Sequence, residues 1–399
     1  MMKKNEKPLG RRSFISLASA ASVGISGLPL NELTARSESR PIKPPPAVAL
    51  EWRNKVDTMS YRQLGRTGMM ISEVVNGGDP VRSETYRQVE IAIERGVNYL
   101  DMAPAYGNGD CETAYSKIID SSSKRMKVFM TTKVSGYQGV RDGMYQDIFK
   151  GLPSEKQKKI MQRAEEIRRE RYVDKPGYFL VYWPNQETSM DKCFISNAMV
   201  EDYGHLVDGS KEHKEKIKSS IEGSLKRAKT DHFDILMCPH GGNSREEVMI
   251  PETYETFQEL KKEGKVRFLG VSTHNDPAGV LNAAVESGHY DAVMCAYNVI
   301  NGGYMEAAIK NAYENGVGVI GMKVAMAVAT HHKPLQPIPQ WRVDKVKHIV
   351  PGDLKPPLKA YLWALQNPYL TAVISNLWDE QYINENLSVV GRKVKLNYG

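Results

Sequence analysis

The chain has 399 residues, 41% hydrophobic and 25% charged, a composition that suits a large globular core and excludes disorder throughout. Of the formal net charge of +7, residues 1–12 contribute five Lys/Arg against one Glu, which leaves +3 for the rest. So small an excess gives no ground for nucleic acid or an anionic membrane surface as partner.

The chain opens with Lys3, Lys4 and Lys7, then "GRRSFIS" (10–16), then an uncharged run from Phe14 to Leu30. This pattern resembles a twin-arginine signal over residues 1–35, so export to the periplasm by the twin-arginine machinery is expected. The run is short and rich in Ser and Gly, which speaks against a permanent membrane anchor. Residues 36–58, with "RPIKPPPAV" at 40–48, read as a Pro-rich linker before a folded domain spanning 59–399.

From there short apolar runs recur, each followed by a helix-like segment. They are "ISEVVNGG" (71–78), "NYLDMA" (98–103), "KVFMTTKV" (127–134), "HFDILMCPH" (232–240), "VRFLGVS" (266–272), "DAVMCAYN" (291–298), "GVGVIGMKV" (316–324) and "LTAVIS" (370–375). Runs that are continuously apolar suit strands covered on both faces, and segments such as "ETYETFQELKKEG" (252–264) suit amphipathic crossover helices. Eight such units predict an α/β fold of the (β/α)8 TIM-barrel class. No Gly-rich dinucleotide fingerprint follows the first strand, which argues against a doubly wound sheet.

The spacing breaks after the third strand, where residues 136–209 form an insertion on the face that carries chemistry in such barrels. Its segment "SEKQKKIMQRAEEIRRERY" spaces Ile160, Ala164 and Ile167 at helical intervals, so the charges around them read as a solvated face. Its aromatics, Tyr137, Tyr145, Phe149, Tyr178, Phe179, Tyr182 and Trp183, suit either a small core of the insertion, the favoured reading, or stacking on sugar rings. A smaller extension, 327–355, follows the seventh strand.

Cys111, Cys193, Cys238 and Cys295 lie far apart without a CxxC pair, so they read as free thiols and no metal is expected. Cys238 and His240, two apart on an apparent strand, are expected on one side of it.

Four polar residues end or follow neighbouring strands: Asp101 and Tyr106 after the second, Lys133 in the third, His240 after the fourth. Each, taken alone, is explained by an ordinary satisfied polar group; together they suit proton transfer to or from a substrate oxygen. A lysine ammonium beside a tyrosine is expected to lower the phenol pKa from about 10, with Asp101 holding the lysine charged and His240 orienting the substrate. No GxSxG elbow or evident nucleophile competes with them.

Here the sequence resembles the aldo-keto reductase family, from "YRQLGRTGMMISEVVNGG" (61–78) to "INENLSVVGR" (383–392). "DMAPAYGNGDCE" is similar to the family's Asp-x-x-x-x-Tyr-Gly motif, "FMTTKV" to its lysine strand, "FDILMCPHG" to its histidine strand and "GKVRFLGVS" to the strand after that. The resemblance implies a (β/α)8 barrel, NADPH or NADH bound without a Rossmann domain, and interconversion of a carbonyl with an alcohol. It implies Tyr106 as general acid/base, tuned by Lys133 and Asp101, with His240 placing the carbonyl.

The resemblance also marks cofactor positions. Ser272 fits the serine after the fifth strand; Thr273 stands where an amide-binding Asn is usual, and Met294 where a Gln is common. Met322 takes the place of a stacking aromatic and Lys323 follows it. Glu385 and Asn386 match the adenine end, whereas Asn376 and Tyr382 replace basic residues that grip the 2′-phosphate. Neither NADPH nor NADH is therefore singled out. Export motivates one alternative, a tightly held cofactor doing internal redox on a sugar derivative; a non-catalytic binding barrel is the other.

Overall fold

The structure, a computed structural model, describes residues 47–329 and 337–398. The export signal, the linker up to residue 46 and residues 330–336 of the second extension lie outside the described residues.

Three short strands come first, β1 (Glu51–Trp52), β2 (Tyr61–Gln63) and β3 (Met69–Ser72), and form a small sheet in the order β1-β3-β2. Eight more then run in parallel: β4 (Val74–Asn76), β5 (Tyr99–Asp101), β6 (Phe129–Lys133), β7 (Phe233–Met237), β8 (Val266–Thr273), β9 (Ala292–Ala296), β10 (Gly318–Met322) and β11 (Ala372–Ser375). They close into a barrel in the order β10-β11-β4-β5-β6-β7-β8-β9. Each lies within one of the eight apolar runs, apart from the last residue of β8. Inward-facing Val75, Tyr99, Phe129, Ile235, Met237, Met294, Ile320 and Met322 fill the barrel, and a larger shell of apolar residues seals strands against helices. Both faces are thus dry, which is why the strands read as unbroken apolar runs.

The small sheet closes the barrel's lower end. Leu64 joins the barrel core and packs so tightly on Gly318 that a Cβ there would overlap it. Residues 51–53 also belong to the fold, contrary to the expected linker through residue 58. Trp52 pairs with Met70, and Arg53 is buried against Asp234. The proline-rich composition ends at Pro46, and beyond it the chain finds apolar and charged partners on the barrel.

Asp234, fully buried at the start of β7, accepts from Arg267 (2.6 Å), Arg125 (3.0 Å), Arg53 and the Met130 amide (2.8 Å). Burial alone would raise its carboxyl pKa, but three guanidinium groups and the amide outweigh this and hold it below the ordinary value. The cluster's stability is thus present above the unfolded carboxylate pKa of about 3.9 and lost as pH falls through the lower folded value. Asp234→Asn should cost about 3–5 kcal/mol, because it strands buried guanidinium charge. Urea unfolding at neutral pH measures this, and a loss under about 1 kcal/mol, the scale of an exposed pair, would rule out the clamp.

The insertion folds as three helices, Gln138–Lys150, Ser154–Glu170 and Gln186–Tyr203. Ile160, Ala164 and Ile167 face inward; Ala164, Ile167, Val173, Tyr178, Met190 and Phe194 form one small core. Several contacts dock it on the barrel's upper loops, two side-chain pairs among them. Arg171 grips Glu246 through two bonds of 2.6 and 2.9 Å, and Gln186 Nε2 donates to Asn275 Oδ1 at 2.7 Å. The second extension contributes the helix Gln340–Ile349. Among the described residues no helix is long and apolar enough to cross a membrane.

Candidate active site

The register of the sheet brings the acid and the lysine together. Asp101 ends β5 level with Thr131, and Lys133, two residues further along β6, shares that residue's face because strand side chains alternate. Lys133 Nζ bonds Asp101 Oδ1, the Met102 carbonyl (3.2 Å) and Tyr106 Oη (3.1 Å). The ammonium also lies 4.6 Å from the Tyr106 ring centre.

Tyr106 reaches this position through a tight turn. Gly107, Asn108 and Gly109 follow it with φ of +57°, +52° and +89°, left-handed conformations that Gly and Asn adopt at least cost. Opposite, Gly78 follows β4 with no room for a side chain, since a Cβ would overlap the Asp101 carbonyl. The backbone is thereby drawn in beneath the acid.

His240 completes the group. Its ring meets Tyr106 edge to face, with centroids 5.7 Å apart, while Ser135 Oγ lies 2.8 Å from Nδ1. Gln138 from the insertion donates to the His240 and Gly241 carbonyls at 2.7 and 2.8 Å. Cys238, in contrast, is buried among the outer core residues rather than beside His240. The strand ends at Met237, so the alternation that placed the two on one face has stopped.

The electrostatics correct one expectation. Burial, then the Asp101 and Asp79 charges, push the Tyr106 phenol well above its ordinary pKa, opposite to the lowering expected from Lys133. A lysine already committed to Asp101 cannot offset the loss of solvent and a facing carboxylate together. Burial also raises Asp101 against the pull of Lys133. His240 is held well below the usual imidazole value by burial, and then by Lys133 and Lys323, so the ring is neutral.

Of the cofactor positions marked in the sequence, Ser272 and Thr273 end β8 directly beside this group, and Ser272 Oγ accepts from the Gly241 amide at 3.0 Å. Met294 and Met322 are buried in the barrel core beneath the mouth. Asn376, beyond β11, leans over Gly77, where a Cβ would sit 2.5 Å from its Oδ1. Asn386 donates to Ser375 Oγ at 2.9 Å. Glu385 pairs with Lys355 at 2.6 Å, so the second extension brings a cation to the position that the resemblance marks for the adenine end.

A nicotinamide cofactor fits these residues at its ring end. Thr273 Oγ1 and His274 Nδ1 are buried and have no hydrogen-bond partner among the described residues, a state that ordinarily costs about 1–3 kcal/mol for each group. A carboxamide offers the donor and the acceptor that both need, and Met322 offers an apolar surface to the ring.

His274 escaped the sequence reading, as did the route by which the insertion reaches the mouth. Trp183 lies edge-on to His274 at 4.7 Å and Tyr182 at 6.2 Å, and Tyr182 Oη accepts from Asn298 at 3.1 Å. The insertion's aromatics are therefore divided: Tyr145 and Tyr178 serve its cores, Tyr137 joins the main core, and Tyr182 and Trp183 line the mouth. Position 274 directly follows the marked Thr273 at a strand end, and that adjacency was the available signal. Away from the mouth, Asp142, Cys193 and Glu247 gather within 4.8 Å, with Arg141 against Asp142 at 3.4 Å as a built-in counter-charge.

The chain matches the sequence profile of the Aldo/keto reductase family over residues 68–201 and 186–396, most of its length. It belongs to that family. It is 22% identical to L-galactose dehydrogenase of Arabidopsis thaliana, over 83% of this chain and 88% of that protein. It is 27% identical to the uncharacterized oxidoreductase YqkF of Bacillus subtilis, over 54% of this chain and 49% of that one. Among solved structures, the holo form of an aldo-keto reductase from Bacillus halodurans aligns with a TM-score of 0.55 at 19% identity, covering 84% of this chain and 92% of that one. A thermostable aldo-keto reductase bound to the inhibitor epalrestat aligns with a TM-score of 0.53 at 19% identity, covering 84% of this chain and 96% of that one. As an aldo-keto reductase, the protein is an NAD(P)(H)-dependent oxidoreductase acting on a carbonyl or alcohol.

Proposed function

We propose that this aldo-keto reductase interconverts a small carbonyl compound and its alcohol with Tyr106 as the proton donor and acceptor. The observation that carries the reading is Lys133 Nζ, held between Asp101 and Tyr106 Oη, 3.1 Å from the phenol, at the strand ends beside His240. When bound, the nicotinamide cofactor supplies or accepts the hydride.

In the reducing direction, Tyr106 gives its phenolic proton to the carbonyl oxygen as negative charge develops there. A phenol kept protonated by burial is ready for that donation, because a forming alkoxide is the stronger base. Lys133 then stabilises the phenolate by hydrogen bond and charge, and Asp101 keeps the ammonium in place. In the tautomer in which Nδ1 accepts from Ser135, the neutral His240 ring carries its hydrogen on Nε2 and offers it to the same carbonyl oxygen. In oxidation the proton returns from the alcohol oxygen to Tyr106.

Titration of the purified protein with NADPH and NADH, followed by a panel of aldehydes and ketones, tests the reading. Carbonyl-dependent oxidation of one cofactor is expected, and failure to bind either at millimolar concentration would sink the proposal. Because His240 is neutral well below the usual imidazole range, kcat/KM should stay level as pH falls through about 6.5. A tenfold loss per pH unit beginning there would show instead that His240 charges near its ordinary value.

A further inference from the structure

Lys323, also at the mouth, has no ion-pair partner among the described residues. It follows β10 with φ of +58°, a left-handed conformation that a residue with a Cβ adopts at a cost. Its ammonium lies 5.4 Å from the Tyr182 ring centre and 5.8 Å from that of Trp183, the two insertion aromatics at the mouth. No carboxylate is within ion-pair distance of it among the described residues, and residues 330–336, "THHKPLQ", contain no Asp or Glu. Lys133, Asp101, Asp79, His240 and His274 all interact with its charge, so it faces the reacting end of the mouth. Nearby, Arg342 from the second extension acts on Tyr182 and keeps its Nε buried without a hydrogen-bond partner among the described residues.

A half-buried ammonium in strained backbone, with apolar rings on one side and no counter-ion among the described residues, is an arrangement a folded chain keeps only against a cost. An anionic group entering the mouth removes that cost. The resemblance to the family groups Lys323 with the cofactor, but its ring contacts are with the insertion, and its charge acts on His240 and His274 at the reacting end of the mouth. Building on the carbonyl reaction proposed above, we propose that Lys323 binds a carboxylate of the substrate, so that the enzyme selects anionic carbonyl compounds whose organic body lies against Tyr182 and Trp183.

Burial also lowers the Lys323 pKa, an effect that a bound anion would reverse. The shared chemistry is an anionic oxygen group, which the cofactor's phosphates also offer, and the test separates the two sources.

Binding of benzoate and benzamide to the full chain, by calorimetry, reads the site without turnover. Benzoate is expected to bind at least tenfold more tightly than benzamide. Lys323→Asn, which keeps a residue tolerant of left-handed backbone, should abolish that preference, and Lys323→Arg should retain it. In turnover, 4-carboxybenzaldehyde should exceed its methyl ester in kcat/KM by at least tenfold in the wild type, with the ratio near one in Lys323→Asn. Equal binding of benzoate and benzamide by the wild type overturns the proposal, as does a preference that survives in Lys323→Asn. If Lys323→Asn instead weakens NAD(P)H more than tenfold while the acid-to-ester ratio persists, Lys323 grips the cofactor and the proposal falls. Benzoate preference without any carbonyl turnover would overturn the reductase reading of the site and leave the anion site standing. Lys323→Arg controls for folding, since it retains charge and bulk at a position where Lys323→Asn shortens the side chain.

Discussion

Tyr106→Phe is expected to lower kcat/KM for carbonyl reduction by about 10²- to 10⁴-fold, the range that a positioned general acid contributes. The substitution removes one oxygen and leaves the ring, so the edge contact with His240 and the stacking under Lys133 persist. Cofactor affinity should hardly change, because the phenol faces the substrate oxygen. Steady-state kinetics beside a fluorescence titration of NAD(P)H separates the two quantities. A loss of less than fivefold across a broad carbonyl panel would mean that another group moves the proton, and would return weight to a binding barrel without chemistry.

Asp101→Asn is expected to lose both activity and stability. Lys133 and Asp101 have side-chain exposures of 1% and 2%, so neither charge can turn to water when its partner is neutralised. Breaking such a pair from one side costs about 3–5 kcal/mol, whereas removing both charges costs much less. The double variant Asp101→Asn/Lys133→Met should therefore unfold at a higher urea concentration than Asp101→Asn alone while remaining inactive. A double variant no more stable than the single one would show that the pair stabilises through packing rather than charge. The comparison also separates stability from catalysis, since recovered stability without recovered activity assigns the ion pair a chemical task.

Both predictions rest on residues that were legible as letters. Asp101, Tyr106, Lys133 and His240 stand at the ends of apolar runs, where the period of a strand gives way to a turn, and polar residues there are costly unless partnered. The barrel was legible for a related reason. A strand dry on both faces leaves a continuous apolar signature, and eight of these separated by amphipathic segments admit few arrangements.

Other features depended on contacts that no local pattern encodes. Arg53 lies in a stretch that read as linker, yet it meets Asp234 from a strand 181 residues later. Lys355 reaches Glu385 from the second extension, and Gln186 reaches Asn275 from the insertion. The Tyr106 phenol went the opposite way to the expected shift because desolvation depends on how completely neighbouring elements cover a group, and the identity of the adjacent residues does not report that. Lys323 was marked by its position after Met322, but its direction, toward Tyr182 and Trp183 of the insertion, depends on how the insertion docks.

The sequence by itself determined the class of fold and the family, and it marked the candidate set of proton-transfer residues, because hydrophobic periodicity and the residue types at strand ends are local properties. Only the tertiary structure decided which aromatics reach the mouth, which cations meet which carboxylates, and that the phenol is held protonated and the histidine neutral. Those outcomes depend on burial and on distances between segments far apart in the chain, and both come into being only when the barrel closes and the insertion settles on its upper loops.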